Sequence, residues 1–390
     1  MFKQSANPFT PTFGHVPFAL AGRTDYIDDV FGGLANSPGD PNRSTIFVGP
    51  RGSGKTVLLT AITREAADLG WVCVDSSARA GMLSTIARRL QKNSEHLLTP
   101  PPLSDVVGVQ MGPAGFTRRM RDAHPKDEIA CIEETVEYLC EHDACILFTV
   151  DEVDATCKEF CDFVDLYQYF MRKDLDVALL LAGLPSQVST LLSDEGISFI
   201  RRAFQRPLDR IPLFDVEQAL LETIEQNGRE IESDALALAA SASGGFAFAI
   251  QLIGYYLWRQ GSATSPLQTA DVQQAIDQAK QEMERSIFVP TLRELRPREV
   301  EYLCAMLKDT GPSSTSSIAH RMGVSMTNAS NLRRRLIEYG VIREVRMGLV
   351  EFEMPLIDEY LRTMDSSSNL SRGSTPLERY QSRGVLPLER

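Results

Sequence analysis

The chain has 390 residues, of which 43% are hydrophobic and 24% charged, and its 52 acidic and 40 basic side chains give a net charge of −12. This balance is that of a folded protein and excludes a wholly disordered chain. The length predicts two or three domains. No apolar run approaches the roughly 20 residues of a membrane helix, and no secretion signal is visible at the N-terminus. With only seven cysteines, these features favour a reduced, cytoplasmic protein that does not enter a membrane.

The negative charge is concentrated in the first 285 residues. Residues 286–365 carry eleven basic and eleven acidic side chains, and residues 366–390 carry four basic and two acidic ones. Because the first of these regions is neutral and the second is +2, the total of −12 leaves −14 for residues 1–285. Only the C-terminal third could therefore face a polyanion without strong repulsion.

The first half of the chain alternates between apolar runs and helical patterns. Residues 1–20 are rich in proline, phenylalanine and threonine and predict an extended arm, and a short helix is expected after Asp25. The order strand, helix, strand predicts a parallel sheet with a right-handed crossover. Three consecutive prolines predict a loop, without an assigned function, over 98–117. The predicted strands cover 45–48, 71–74, 144–150 and 177–182, and the predicted helices cover 57–69 and 127–141.

A glycine-rich segment follows the first predicted strand and opens a helix. It fits the pattern G-x-x-x-x-G-K-[ST]. Glycines let backbone N–H groups turn toward phosphates, and the helix N-terminus adds a positive dipole end. Lys55 would supply a charge to the β- and γ-phosphates, and Thr56 would bind Mg²⁺. The predicted nucleotide-binding residues are Gly49, Pro50, Arg51, Gly52, Ser53, Gly54, Lys55 and Thr56.

A second part of the same site is predicted where the strand at 144–150 ends in Asp151 and Glu152. Asp151 is expected to hold Mg²⁺ together with Thr56, and Glu152 to activate a water for attack on the γ-phosphate. Two adjacent carboxylates favour hydrolysis over transfer to a second substrate. The chain has no Asn/Thr-Lys-x-Asp motif that would read guanine. The sequence therefore predicts an ATPase that uses ATP and Mg²⁺, with Glu152 and Lys55 as catalytic residues.

These motifs together resemble a known family. Ala21-Gly22-Arg23 before a short helix, the loop at 49–56 and Asp151-Glu152 are similar to the AAA+ ATPases of the origin-recognition group. The resemblance covers about residues 1–285. It implies an α/β fold, a P-loop parallel-sheet ATPase domain with a helical lid, in which Arg23 lies near the adenine. It also implies an ATP-driven switch that often self-associates and often binds DNA.

The sequence departs from this family in two places. The resemblance implies a polar sensor residue after the strand at 177–182, but the chain has Ala182-Gly183 there, with Ser186 as the nearest small polar residue. It also implies a lid arginine, and residues 244–248 contain none. Both departures predict slow turnover unless a neighbouring subunit supplies an arginine, because the transition state needs a cation. Arg201 and Arg202 are the candidates, and Arg202 is the predicted catalytic one.

The C-terminal third resembles a winged helix-turn-helix domain. Predicted helices at 298–307, 316–322 and 326–339 precede two short strands at 341–346 and 349–354. On the third helix, one face carries polar side chains at i, i+4, i+7 spacing. In such a domain, arginines contact phosphates and polar side chains contact base edges. Double-stranded DNA is therefore a predicted partner, through Thr327, Asn331, Arg333, Arg334, Arg335 and Arg346.

The sequence as a whole predicts an ATP-binding, slowly hydrolysing switch protein that acts on DNA. One alternative is a nucleotide-dependent regulator with negligible turnover. Another is a signalling or defence ATPase whose winged helix contacts protein and not DNA. The predicted tail contains a near-duplicate, 372–379 and 383–390, which is either simply solvated or a pair of docking motifs. The predicted regions are a P-loop AAA+-like nucleotide-binding domain (1–213), a helical lid (214–285), a winged-helix domain (286–365) and a disordered tail (366–390).

Overall fold

A computed structural model describes residues 6–366 except 13, 96, 98–124, 195, 197 and 262–264. The loop predicted at 98–117 and the duplicated motif predicted in the tail lie outside the described residues. Within the described part of the chain, every helix is too short or too polar to span a lipid bilayer.

The centre of the N-terminal part is a sheet of five parallel strands. The strands are β1 (Ser44–Val48), β2 (Val72–Ser77), β3 (Ile146–Asp151), β4 (Val177–Gly183) and β5 (Phe204–Pro207). Their order is β2-β3-β4-β1-β5. β4 is buried along its whole length, and β3 is buried up to its last residue. Such near-continuous apolar strands suit a sheet that is covered on both faces. The P-loop ATPase fold class predicted from the sequence is confirmed.

Helices cover the two faces of this sheet. The helices are α1 (Thr24–Ala35), α2 (Lys55–Asp68), α3 (Met82–Asn93), α4 (Pro125–Glu141), α5 (Lys158–Arg172) and α6 (Pro185–Ser193). α1 and α2 pack with Phe47 and Leu180 on one face, and α3, α4 and α5 pack around Phe148 on the other. The strands therefore end at one common edge, where the loops after β1, β3 and β4 meet.

One outer edge of the sheet is capped by side chains, and the other is short. At the β2 edge, Arg89 of α3 donates to the carbonyl of Asp75 at 2.5 Å, and Asn93 donates to the carbonyl of Cys73 at 2.7 Å. At the other edge, β5 is four residues long and ends in Pro207, which has no N–H to donate. These features leave few unpaired backbone groups along the sheet.

A helical lid follows the sheet and continues into the C-terminal region. The lid helices are α7 (Leu213–Gln226), α8 (Ser233–Ser243), α9 (Ala247–Trp258) and α10 (Thr269–Met283). A π-helical turn, Glu284–Phe288, joins α10 to α11 (Val289–Glu294) without leaving helical backbone angles. The boundary predicted between residues 285 and 286 therefore lies inside one continuous helix.

Residues 289–366, called the C-terminal module below, form a small α/β unit. After α11 it contains α12 (Pro297–Met306), β6 (Ser313–Ser314), α13 (Thr315–Met322), α14 (Met326–Glu338), β7 (Ile342–Arg346), β8 (Leu349–Phe352) and α15 (Ile357–Ser366). The three strands are antiparallel in the order β6-β8-β7. Ser314 and Ser325 cap α13 and α14 by accepting backbone N–H groups. One hydrophobic cluster runs from the lid into this module and includes Leu257 and Leu303.

Candidate functional site

The loop between β1 and α2 has the backbone shape that a phosphate-binding loop requires. Gly52 and Gly54 have φ angles of +79° and +94°, in the left-handed region that favours glycine. A β-carbon at Gly49 would lie 2.5 Å from Ser53 Oγ, so the chain passes too close to itself for a side chain there. Ser53 Oγ is buried and has no hydrogen-bond partner among the described residues. The loop thus offers a glycine-lined concavity with an unsatisfied polar atom, which fits a phosphate group.

Lys55 opens α2 and folds back onto the loop. Its Nζ donates to the carbonyls of Gly49 at 2.8 Å and Pro50 at 2.7 Å. Burial lowers the pKa of Lys55 to about 8, Asp151 and Glu152 act in the opposite direction, and Arg51 lowers it further. A partly buried ammonium that is hydrogen-bonded to carbonyls is stabilised by an arriving anion.

Thr56 and Asp151 lie together, as the sequence predicts. Thr56 Oγ1 donates to Asp151 Oδ2 at 2.5 Å, which joins the start of α2 to the end of β3. Hydroxyl and carboxylate oxygens are the ligands that Mg²⁺ prefers, and Mg²⁺ commonly uses one or two such protein ligands. A cavity of about 370 Å³ lies on one side of this pair, between α2, α3 and the strands β2 and β3, and Thr56 is the residue of the loop at 49–56 that lines it. The residues present therefore fit a Mg²⁺ ion bound with a nucleotide.

Glu152 lies next to this pair in an unusual backbone conformation. Its φ is +55°, and its N–H donates to Asp151 Oδ1 at 2.9 Å. The following residue, Val153, donates to the carbonyl of Ala182 at 3.0 Å, so the chain turns sharply from β3 toward β4. Left-handed non-glycine residues cost about 1–3 kcal/mol and are concentrated at functional sites. The turn leaves the Glu152 carboxylate exposed at the end of the sheet.

The end of β4, where the family resemblance implies a polar sensor, is tightly packed around Gly183. A β-carbon at Gly183 would lie 2.5 Å from Val153 Cγ2, and the Gly183 carbonyl accepts the N–H of Gly49 at 3.3 Å. Gln187, which the sequence did not single out, lies near this point, with its Oε1 3.6 Å from where a β-carbon at Gly183 would lie. Its Oε1 accepts the N–H of Leu184 at 2.9 Å, which fixes the side chain at the start of α6.

In place of a lid arginine, the lid contacts the loop through two phenylalanines. A β-carbon at Gly52 would lie 2.7 Å from Phe246 Cε1 and 3.3 Å from Phe248 Cβ. The N–H of Phe248 also donates to the carbonyl of Gly52 at 3.1 Å. No motif in the sequence predicts this contact between the lid and the loop, because the contact depends on the fold of the lid.

The N-terminal arm, residues 6–22, bridges the lid and the loop. Phe9 is buried against Gly254 of α9, where a β-carbon would lie 2.3 Å from the phenylalanine ring. Asn7 donates to the carbonyl of Tyr255 at 2.9 Å. Further along, a β-carbon at Gly14 would lie 3.7 Å from Thr56 Cγ2. The arm therefore passes from the lid to the start of α2.

The arginines predicted around the nucleotide lie in different settings. Arg23 is buried and donates to the carbonyl of Asp209 at 2.6 Å, and burial lowers the pKa of its guanidinium. Arg201 donates to the carbonyls of Leu192 at 2.6 Å and Asp194 at 3.3 Å. Arg202 is exposed at the end of a 3₁₀ turn, Ser198–Arg202, and forms no hydrogen bond or ion pair with the described residues.

The predicted DNA-contacting residues of the C-terminal module separate into two groups. Thr327, Asn331 and Arg334 are exposed on α14, with Arg334 70% exposed, and Arg346 is exposed near the β7–β8 turn. Arg333 instead pairs with Glu344 at 3.1 Å, which ties α14 to β7. Arg335 pairs at 3.0 Å with Glu299, which is completely buried. The Arg335 side chain therefore points toward the interior of the module.

Comparisons with known proteins show what the chain is similar to, and the first of the structures below supports the fold. Residues 285–361 match a domain of unknown function (DUF8462). The structure of the Walker-type ATPase Paby2304 from Pyrococcus abyssi is similar over 88% of this chain and 96% of that chain, with a TM-score of 0.64 and 15% identity. Cdc6p from Pyrobaculum aerophilum matches over 96% and 98%, with a TM-score of 0.48 and 16% identity. The Orc1 protein of Aeropyrum pernix, solved in complex with DNA, matches over 91% and 96%, with a TM-score of 0.41 and 17% identity. No curated protein matches the chain by sequence.

Proposed function

We propose that this protein is an ATP-binding AAA+ switch of the origin-recognition type that hydrolyses ATP slowly and acts on double-stranded DNA. The observation that carries the proposal is the contact between Thr56 of the phosphate loop and Asp151 of β3, with Glu152 directly beside it. A P-loop alone would support nucleotide binding. The contact of the P-loop with Asp151, which is followed directly by Glu152 at the end of a parallel strand, supports hydrolysis.

In this proposal each residue has a defined task. The N–H groups of the loop and the start of α2 bind the phosphates, and Lys55 leaves its loop carbonyls to contact them. Thr56 and Asp151 would hold Mg²⁺, which would neutralise phosphate charge. Glu152 orients a water and takes its proton as the water oxygen bonds to the γ-phosphorus and the bond to the ADP oxygen breaks. The missing lid arginine makes this hydrolysis slow within one subunit.

Hydrolysis is tested with two substitutions that separate binding from chemistry. Glu152→Gln should lower phosphate release about 10²–10⁴-fold, the usual contribution of general-base catalysis, and leave binding of Mg²⁺·ATP unchanged. Lys55→Ala should abolish binding. Binding is measured by equilibrium titration, and phosphate release by a coupled assay under single-turnover conditions. Phosphate release by Glu152→Gln at the wild-type rate would remove Glu152 from the mechanism.

The C-terminal module is the proposed DNA-binding part and, we infer, a winged helix. Support comes from its three helices, its antiparallel hairpin and the exposed polar face of α14. Thr327 and Asn331 would reach base edges, and Arg334 and Arg346 would contact phosphates from the helix and the hairpin. Arg333 supports this face through Glu344. Arg335 positions α14 through Glu299, since removing it would leave a buried carboxylate unpaired, at about 3–5 kcal/mol.

The DNA proposal predicts a selective loss of affinity. Replacing both Arg334 and Arg346 with alanine should weaken duplex binding and lower the slope of log affinity against log salt by about 2, because two phosphate contacts are lost. Arg298→Ala is the matched control, since Arg298 is 65% exposed on α12, outside α14 and the hairpin. Duplex binding is measured by fluorescence anisotropy at several salt concentrations. An equal effect of the control would contradict this surface.

One observation favours a protein partner as the second candidate. Met347 at the hairpin turn is 99% exposed, and Val345 and Met326 are also exposed. Exposed large apolar side chains are typical of surfaces that bind protein. If duplex DNA does not bind at low salt, this face would instead contact protein, as in a signalling or defence ATPase.

A further inference from the structure

We infer that the C-terminal module holds the phosphate loop in its nucleotide-free conformation, and that nucleotide binding releases the module. This inference rests on the proposed nucleotide site. It makes Gly340 and Glu294 positioning residues of the loop, acting through Pro50 and Arg51.

The first observation is a direct contact between the module and the loop. Gly340 ends α14 with a φ of +68°, and a β-carbon there would lie 2.7 Å from Cβ of Pro50. Gly340 is buried, so this is a packed backbone contact. The carbonyl of the same Pro50 accepts a hydrogen bond from Lys55 Nζ. One of the two carbonyls that hold Lys55 in the absence of a phosphate therefore belongs to the residue that the module contacts.

The second observation is electrostatic. Arg51 of the loop pairs with Glu294 at the end of α11, at 3.0 Å. This places a carboxylate on a loop that has to accept a polyphosphate. Because both side chains are about half exposed, the pair adds little to docking. The Glu294 carboxylate nevertheless partly neutralises the positive charge of Arg51, so the loop attracts an anion less strongly.

Two further contacts extend this docking to the hinge between sheet and lid. Arg210 lies between β5 and α7 and donates to the carbonyls of Phe352 at 2.6 Å and Glu353 at 2.9 Å. A β-carbon at Gly244 in the lid would lie 3.2 Å from Cβ of Pro355. The loop, the hinge and the lid thus all touch one end of the module. Its α14 face with Arg334 stays exposed.

The lid and module are also built to move together. They share one hydrophobic cluster and the continuous helix from Thr269 to Glu294. The lid itself touches the loop through Phe246 at Gly52. When Lys55 leaves the carbonyl of Pro50 for a phosphate, the change occurs at the residue that Gly340 contacts, and a displacement of Gly340 there would move the outer face of the module. Since such coupling is reciprocal, loosening the module must strengthen nucleotide binding.

The chain offers a matched pair of variants for the test. Gly340→Ala introduces a side chain against Pro50. Gly323→Ala introduces the same residue at a similar φ of +62°, at the end of α13, where nothing lies within 4 Å. The two variants should carry similar backbone strain, and only Gly340→Ala places a side chain against the loop. Glu294→Gln and Glu301→Gln form a second pair, because Glu301 binds Arg298 within the module and not the loop.

The measurement is equilibrium binding of a non-hydrolysable ATP analogue with Mg²⁺ to the full-length chain. Gly340→Ala should bind at least about fivefold more tightly than Gly323→Ala, the lower end of usual allosteric coupling. Glu294→Gln should bind more tightly than Glu301→Gln, with a difference that shrinks at high salt. Equal or weaker binding by Gly340→Ala than by Gly323→Ala overturns the inference.

Hydrogen exchange gives an independent readout. The analogue should speed amide exchange in residues 349–356 of the wild type and leave it unchanged in Lys55→Ala. Unchanged or slower exchange in the wild type, with the analogue bound, also overturns the inference. If the wild type binds no analogue at all, the proposed nucleotide site fails instead, which keeps the two failures distinct.

Discussion

At the scale of single residues, the site is organised around polar groups that are largely withdrawn from solvent before a ligand arrives. Lys55 is partly buried and held by two loop carbonyls, and Ser53 Oγ is buried without a partner among the described residues. Buried polar groups of this kind are costly, and an anion removes the cost. The loop is therefore prepared for a phosphate at the expense of its own stability.

The lowered pKa of Lys55 predicts a pH dependence of nucleotide binding. Burial brings this pKa to about 8, and bound phosphate would favour the ammonium form and raise it again. Below pH 8 the charge is already present. Above pH 8 binding has to take up a proton, so affinity for Mg²⁺·ATP should fall by about tenfold for each pH unit.

The control is Lys55→Arg, because a guanidinium stays protonated throughout this range. Its affinity, although lower overall, should be nearly constant between pH 7.5 and 9.5 in the same titration. A parallel decline in both proteins would assign the pH effect to another group.

At the scale of elements, the N-terminal arm is part of the lid. Phe9 is 2% exposed in the cluster formed by α7, α8, α9 and α10, although no helix or strand contains it. Gly254 leaves the space for its ring. Among the described residues of the arm, Phe9 is the buried apolar anchor, and hydrogen bonds of Asn7 and Thr10 to the lid add to it.

Truncating this anchor should destabilise the protein. Phe9→Ala removes a fully buried ring that packs directly against the backbone of Gly254. The substitution should lower the free energy of unfolding by about 3–5 kcal/mol. Phe18→Ala is the control from the same arm, because Phe18 is 50% exposed, and its effect should stay within about 0.5 kcal/mol. Denaturant unfolding followed by circular dichroism measures both. Similar losses from the two variants would mean that the arm is not anchored through Phe9.

The sequence predicts those elements whose signal is local. The runs at 45–48, 144–150 and 177–182 correspond to β1, β3 and β4, because strands buried on both faces are continuously apolar. β5 lies outside the predicted strands because it is a short, largely exposed edge strand that contains Arg206 and Pro207. α3 and α5 also lie outside the predicted elements, although both carry apolar residues at helical spacing.

The same distinction applies to the site. The loop at 49–56 and the pair Asp151-Glu152 are predictable because their chemistry depends on adjacent residues. The contacts of Phe246, Gly340 and Glu294 with the loop are not, since they join residues far apart in the chain through ordinary apolar packing or one ion pair. Likewise, the spacing of three consecutive arginines on α14 does not reveal that Arg335 points toward a buried acid.

At the scale of the whole molecule, the proposed chemistry is incomplete within one chain. No lid arginine lies at the loop, and Arg202 projects from the surface without a partner in the described part of the structure. A cation supplied by a neighbouring subunit would complete the transition state, and such arginines contribute about 10³–10⁵-fold to rate. Self-association is therefore part of the proposed mechanism.

This arrangement predicts that two inactive variants restore each other. Arg202→Ala should lose most of its phosphate release, and Glu152→Gln should be inactive as described above. In a mixture, the Glu152→Gln subunit can donate Arg202 to the intact site of its neighbour, so activity should return and rise with total protein concentration. Arg201→Ala, whose side chain is held by its own chain, is the control and should stay active alone. A mixture as inactive as its components, or a rate per subunit independent of concentration, would exclude a trans arginine.

The two edges of the sheet limit how such an assembly can form. Arg89 and Asn93 occupy the outward carbonyls of β2, and Pro207 ends the opposite strand. These features disfavour extension of the sheet by a strand of a second chain, the route by which many β-proteins join or aggregate. We therefore expect copies of this protein to meet through side chains on helices and loops, where contacts can loosen and re-form without disturbing the folded core.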